Sequence, residues 1–250
     1  MSSLHTSIYL KNEGAKSIVL LIHGFMASPK TFESLTKAVY ENSYSAAALL
    51  LPGHGGTAKD FETGTAEGWQ NHVNSEIERF SRDYTEIWLV GHSMGGLLSL
   101  GAAIKYSEIV RGVFAIACPL KLAYLSPNHI KVRTKQIFAS KDNPIRAAYL
   151  EKAGVPQSVE MIWRILKPAT EVTKLMRITK ANLPQVTVPV AAVYSTSDEL
   201  ISIDSADILK EGLTGTEYKQ TILKDSLHAM YTEHDQAVIE KTLFEFLKRN

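Results

Sequence analysis

Residues 86–103, EIWLVGHSMGGLLSLGAA, constrain this chain more than any other stretch. Ile87, Trp88, Leu89 and Val90 form an unbroken apolar run, the pattern of a strand buried on both faces. Past the turn, Gly96, Leu97, Leu98, Leu100, Ala102 and Ala103 fit a small-residue, buried helix. Gly91-His92-Ser93-Met94-Gly95 lies between them. A strand passes into a helix over so few residues only through a sharp, strained turn. Side chains at positions 91 and 95 would strike the neighbouring strand and helix, so glycine is needed at both. Such a turn carries Ser93 clear of the sheet, where its hydroxyl can serve as a nucleophile.

The flanking pattern extends this reading. Residues 18–22 (IVLLI), 45–51 (SAAALLL) and 110–117 (VRGVFAIA) are further apolar runs. Helical spacing follows the first at Phe32, Leu35 and Val39, and precedes the opening stretch at Trp69, Val73, Ile77 and Phe80. Strands alternating with helices predict a mostly parallel sheet with helices on both faces. Pro52-Gly53-His54-Gly55-Gly56 and the polar residues 57–65 read as one long loop. The alternation stops after residue 119. Residues 120–183 hold no convincing buried strand. They offer helical segments at 145–153, 158–166 and 171–178, the second with Met161, Ile162, Ile165 and Leu166 on one side. A segment this long is expected to have structure of its own, so it predicts a small helical cap inserted after the strand ending near Ala117. The core is then 1–119 with 184–250. Strands resume at 190–194 and 218–223. A helix at 202–211 lies between them, with Ile203, Ala206 and Leu209 inward, and a closing helix covers 234–248.

Composition excludes several functions. The 27 basic and 26 acidic residues give a net charge of +1, without a long run of either sign, so no nucleic-acid partner is expected. No apolar run approaches the ~20 residues of a membrane span, and no stable membrane association is expected. The start lacks the pattern of a secretory signal, and the single cysteine, Cys118, fits a reducing compartment. The expected location is cytoplasmic. Cys118 ends a buried strand and reads as core packing.

A serine hydroxyl needs a base within hydrogen-bond reach, and the base needs an orienting acid. In parallel sheets these groups meet on loops at the carboxyl ends of strands. Asp198 follows the strand at 190–194, and His228 follows the strand at 218–223. The two are expected to act on Ser93 as acid and base, with Glu199 and Asp225 as rivals to Asp198. The oxyanion of an acyl-transfer intermediate needs preorganised N–H donors. Met94, first in the helix after Ser93, supplies one. His23-Gly24-Phe25 ends an earlier strand and supplies the other from Phe25, with Met26 as rival. Phe25, Met94 and His92 are also expected to contact substrate. His23, His54 and His92 are expected to bond loop backbones or to line the pocket.

LLIHGF, PGHGG, GHSMGG, YSTSDELIS and SLHAM, in this order, resemble the α/β-hydrolase superfamily. The combination is similar to small bacterial carboxylesterases related to monoacylglycerol lipases. The resemblance covers nearly the whole chain outside the cap. It implies an α/β-hydrolase fold, a triad of Ser93, Asp198 and His228, and oxyanion donors Phe25 and Met94. It also implies a small-molecule ester substrate and neither metal nor organic cofactor. The modest cap implies short acyl chains.

Overall fold

The computed structural model describes residues 5–123, 150–156 and 160–248. Seven strands form one sheet: β1 (Ile8–Leu10), β2 (Ser17–Ile22), β3 (Ser45–Leu49), β4 (Glu86–His92), β5 (Val110–Ile116), β6 (Val190–Ser195) and β7 (Tyr218–Leu223). Their order is β1-β3-β2-β4-β5-β6-β7. Only β1 runs antiparallel, on the edge beside β3. The other pairings are parallel.

Alternate side chains of each central strand enter different cores, which explains the unbroken apolar runs. Ile18, Leu20, Ile22, Ile87 and Leu89 face one side, with Trp69, Val73 and Ile77 of α3 (Ala66–Phe80) and Leu97 and Leu98 of α4 (Met94–Lys105). Val19, Leu21, Trp88 and Val90 face the other. There they meet Val39 of α1 (Glu33–Glu41) and Ile239, Leu243 and Phe246 at the C-terminal end of the chain. The chain steps from β2 outward to β3, then returns to lay β4 beside β2 on its other side. That reversal opens a crevice at the carboxyl ends of β2 and β4, where ligands bind in open sheets of this kind.

Some sequence expectations need correction. Residues 57–65 are not all loop: α2 (Ala58–Glu62) begins with a capping box in which Thr57 and Asp60 bond reciprocally. Between β5 and β6 the described residues hold α5 (Met161–Arg164) and α6 (Leu166–Asn182). The helix expected at 145–153 lies largely outside the described residues, as does the start of 158–166. The side of α5 that packs carries Met161, against Phe61 and Val155, with Ile165 partly buried beside them. Ile162 and Leu166 point outward, at 60% and 59% exposure. Positions four apart share a helical face and adjacent ones do not, so this stripe is narrower than the sequence suggested. The segment expected at 171–178 is part of the longer α6, whose first turn accommodates Pro168. In α7 (Asp204–Gly212), Ala206 and Leu209 are buried, but Ile203 precedes the helix and is exposed. The closing helix, α8 (Glu233–Leu247), is as expected within a residue. Among the described residues no helix is long and apolar enough to cross a membrane.

Candidate active site

The link from β4 to α4 is a single residue. Ser93 has φ 53° and ψ −121°, a conformation costly for any residue with a Cβ. The turn is over-determined by its surroundings. A Cβ at Gly91 would run into the Gly95 backbone, and one at Gly95 into the Ile22 carbonyl. Gly96 lies against Cys118, whose thiol is buried, with its pKa pushed up by that burial. Ser93 N–H donates to Ile116 O at 2.8 Å, which ties the turn to β5. The Ser93 side chain therefore projects from a fixed point at the N-terminus of α4, where the helix dipole favours negative charge.

His228 Nε2 lies 2.9 Å from Ser93 Oγ. His228 Nδ1 lies 2.8 Å from Asp198 Oδ2. A carboxylate can only accept, so Nδ1–H donates to it and Nε2 is left to accept from the Ser93 hydroxyl. All three residues are buried. Asp198 Oδ1 accepts from the N–H groups of Leu200 and Ile201, both at 2.8 Å. Burial raises the Asp198 pKa, but the neighbouring His228 and the hydrogen bonds to its ring and to these two amides outweigh it. The net effect holds the carboxyl below its ordinary value. β6 and β7 are neighbours, so the loops carrying Asp198 and His228 start side by side.

The loop after β2 closes the other side of Ser93. A Cβ at Gly24 would stand 3.0 Å from Ser93 Cβ. Gly24 O accepts from Ala27 N–H at 3.2 Å, and Met26 takes a left-handed φ of 61°. Among the described residues neither the Phe25 nor the Met94 backbone N–H has an acceptor. Two buried histidines brace this side. His23 Nδ1–H donates to Gly24 O at 2.9 Å, and its Nε2 accepts from Leu51 N–H at 3.1 Å. His54 Nδ1–H donates to Pro52 O at 3.3 Å, and its ring packs edge-on against Phe61. Phe25 packs against Phe61 and Trp69. Residues 153–155 lie over this group. Gly154 N–H donates to Met26 O at 2.8 Å, and Gly154 O accepts from Gly55 N–H at 2.6 Å.

The structure thus brings Ser93, Asp198, His228, Phe25 and Met94 together. The ring of His92 bonds a loop backbone, one of the two roles expected of it. That ring is 4% exposed and directs Nε2–H at His228 O, 2.9 Å away. It stands at the last position of β4, next to Ser93. Burial above all, with His228 beside it, lowers its pKa to about 3, so it is neutral. Of the rival acids, Asp225 is exposed, and Glu199 accepts from the His228 backbone N–H at 2.9 Å instead of meeting the ring. One link had no signal in the sequence. Ser195 Oγ–H donates to Ser226 O at 2.6 Å, and Ser226 Oγ–H donates to buried Asp235 of α8. This chain joins the Asp198 loop to the His228 loop.

Comparison with known proteins agrees with the fold. A family model described as serine aminopeptidase, S33, matches residues 13–235. The thermostable monoacylglycerol lipase of Bacillus sp. (strain H-257) is 26% identical over 93% of this chain and 90% of its own. A carboxylesterase of Bacillus subtilis (strain 168) is 21% identical over 95% and 94%. Among solved structures, one from work on the metagenome-derived lipolytic enzymes LipS and LipT superposes with a TM-score of 0.76. It is 21% identical, and the match covers 98% of both chains.

Proposed function

Because this chain belongs to the serine aminopeptidase S33 family of α/β hydrolases, we propose that it hydrolyses carboxylic esters through an acyl-Ser93 intermediate. The observation that carries this reading is the continuous hydrogen-bond line Ser93 Oγ, His228 Nε2, His228 Nδ1, Asp198 Oδ2, with steps of 2.9 and 2.8 Å. Ser93 Oγ attacks the ester carbonyl as His228 Nε2 takes its proton. The negative oxygen is held by the Phe25 and Met94 N–H groups. Removing one such donor costs about 10²–10³ in rate. The carbon–oxygen bond then breaks, and His228 gives its proton to the leaving alcohol. Water, activated by His228, attacks the acyl-Ser93 carbonyl, and the acid leaves with Ser93 restored. Asp198 keeps the proton of the neutral ring on Nδ1 and stabilises the imidazolium that forms.

Residues 120–183 are proposed as a cap over the site. The contacts of Val155 and Met161 with Phe61, and of Gly154 with Met26, support this. A modest cap suits short acyl chains. The family also contains aminopeptidases, which must hold a substrate ammonium group. Near the base, Asp198 bonds the His228 ring and Glu199 Oε2 bonds its backbone N–H. The likeness to a monoacylglycerol lipase and a carboxylesterase favours an ester over a free amino terminus.

The test is a series of p-nitrophenyl esters from acetate to palmitate, run beside amino-acid p-nitroanilides. The expected maximum of kcat/KM lies at or below six carbons, with anilides left intact. A long-chain maximum contradicts the chain-length claim, and efficient anilide cleavage contradicts the ester claim.

A further inference from the structure

We propose that Glu199 is a positioning residue for His228, fixing the base through its backbone while Asp198 fixes it through its ring. The proposal rests on the ester-hydrolase reading of the same site.

The loop after β7 turns back on itself at Leu227 and Met230. Their backbones exchange hydrogen bonds of 3.0 and 3.3 Å, and His228 and Ala229 form the tip. This turn gives His228 no partner for its own N–H or C=O. A buried peptide group needs one. Three side chains supply the partners. Glu199 Oε2, on the loop after β6, accepts the N–H at 2.9 Å. The carbonyl accepts from His92 Nε2–H at 2.9 Å, at the end of β4, and from Tyr231 O–H at 3.1 Å. The peptides on either side of the His228 Cα are therefore anchored independently, which sets the direction of the Cα–Cβ bond. Only the two ring torsions remain free, and the Asp198 bond to Nδ1 removes them.

Asp198 and Glu199 are adjacent, and the Leu200 and Ile201 amides on Asp198 Oδ1 stiffen the loop they share. One rigid segment thus grips the base at ring and backbone. Without Glu199, the ring bond to Asp198 can persist while the tip shifts. The distance that then changes is the 2.9 Å from Nε2 to Ser93 Oγ, across which the proton moves. A misplacement of about 1 Å in a reacting geometry costs on the order of 10²-fold in rate. Glu199 was a rival for the catalytic acid on sequence position alone. Its geometry gives it this separate task.

The experiment compares wild type, Glu199→Ala and Glu199→Gln in p-nitrophenyl butyrate hydrolysis. Active sites are counted by fluorophosphonate labelling, so that kcat refers to folded enzyme. Glu199→Ala is expected to lower kcat roughly 10- to 100-fold with KM nearly unchanged. Glu199→Gln keeps an oxygen that can accept the His228 N–H, and is expected to recover most of that loss. Wild-type kcat in Glu199→Ala overturns the proposal. So does a Glu199→Gln as impaired as the alanine variant, since charge and not the acceptor would then be responsible. Should Glu199→Ala not fold, Glu199→Asp takes its place. It keeps the carboxylate one methylene too short, so the same loss is expected and wild-type kcat again overturns the proposal. A wild-type protein that neither hydrolyses the ester nor takes the probe overturns the ester-hydrolase reading itself, before any variant is compared.

Discussion

Gly95 sits directly beneath the carbonyl of Ile22, so closely that a Cβ would collide with that oxygen. This contact joins the nucleophile turn to the end of β2, the strand whose loop carries Phe25. Gly95→Ala must push the two apart. Overpacking costs typically 1–3 kcal/mol, and a collision with backbone lies at the upper end, about 3 kcal/mol or more. For a chain of this size that lowers Tm by roughly 6–12 °C. Differential scanning calorimetry checks this, and fluorophosphonate labelling should fall in parallel. An alanine variant with unchanged Tm and labelling contradicts the packing described.

Gly24→Ala tests the other side of Ser93. Its Cβ would stand 3.0 Å from Ser93 Cβ and 3.2 Å from His92 Nδ1, so the loop must retreat and carry the Phe25 N–H with it. Loss of one oxyanion donor predicts a fall in kcat of about 10²–10³ with a smaller change in KM. Steady-state kinetics on a short-chain ester measures both.

Asp198→Asn places an amide where the Nδ1–H of His228 needs an acceptor of negative charge. The ring then loses the stabilisation of its charged form, and Nε2 is no longer held as the acceptor. The expected fall in kcat is on the order of 10⁴, with the fold retained. A variant within tenfold of wild type would transfer the acid's role to another residue.

Three buried imidazoles make stability depend on pH. Burial above all, with His228 beside it, brings His92 down to about 3. Burial brings His54 to about 4. Burial, reinforced by His54, holds His23 well below the ordinary value. In the unfolded chain all three take up protons near pH 6.5, whereas in the folded chain they do so only far lower. The folded values are depressed, so their contribution is full above about pH 6.5 and is lost as pH falls towards the folded values. Between about pH 6 and 5, His92 and His54 each approach one proton, roughly 1.4 kcal/mol per pH unit, or about 3 kcal/mol per unit for the two, and His23 adds in the same direction. Urea unfolding at pH 7.5, 6 and 5 measures this slope. Equal stability at all three would contradict the neutral, buried state of these rings.

The sheet was legible because its central strands are buried on both faces. Runs such as Ile18 to Ile22 have no other reading when a glycine-bounded turn and a helix follow. Ser93 and Asp198 could be picked out because each follows such a run, His228 because it follows the last strand, and strand ends in a parallel sheet converge. What escaped was set by contacts that leave no periodic trace. The capping box at Thr57 and Asp60 is a local signature that a polar, glycine-flanked stretch conceals. His92, beside Ser93 in the sequence, directs its Nε2–H at the His228 carbonyl, a pairing that no spacing announces. Glu199 beside Asp198 offered two carboxylates for one role, and only three-dimensional placement separates ring from backbone. The outward Ile162 and Leu166 were misread because adjacent apolar residues on one short helical turn cannot all face the core.

The central claim is that Ser93 forms the covalent intermediate. Intact-mass and peptide mass spectrometry after fluorophosphonate treatment tests it most directly. The account predicts one adduct per chain, located on Ser93, and none in Ser93→Ala. An unmodified wild-type chain, or an adduct that persists in Ser93→Ala, would contradict it.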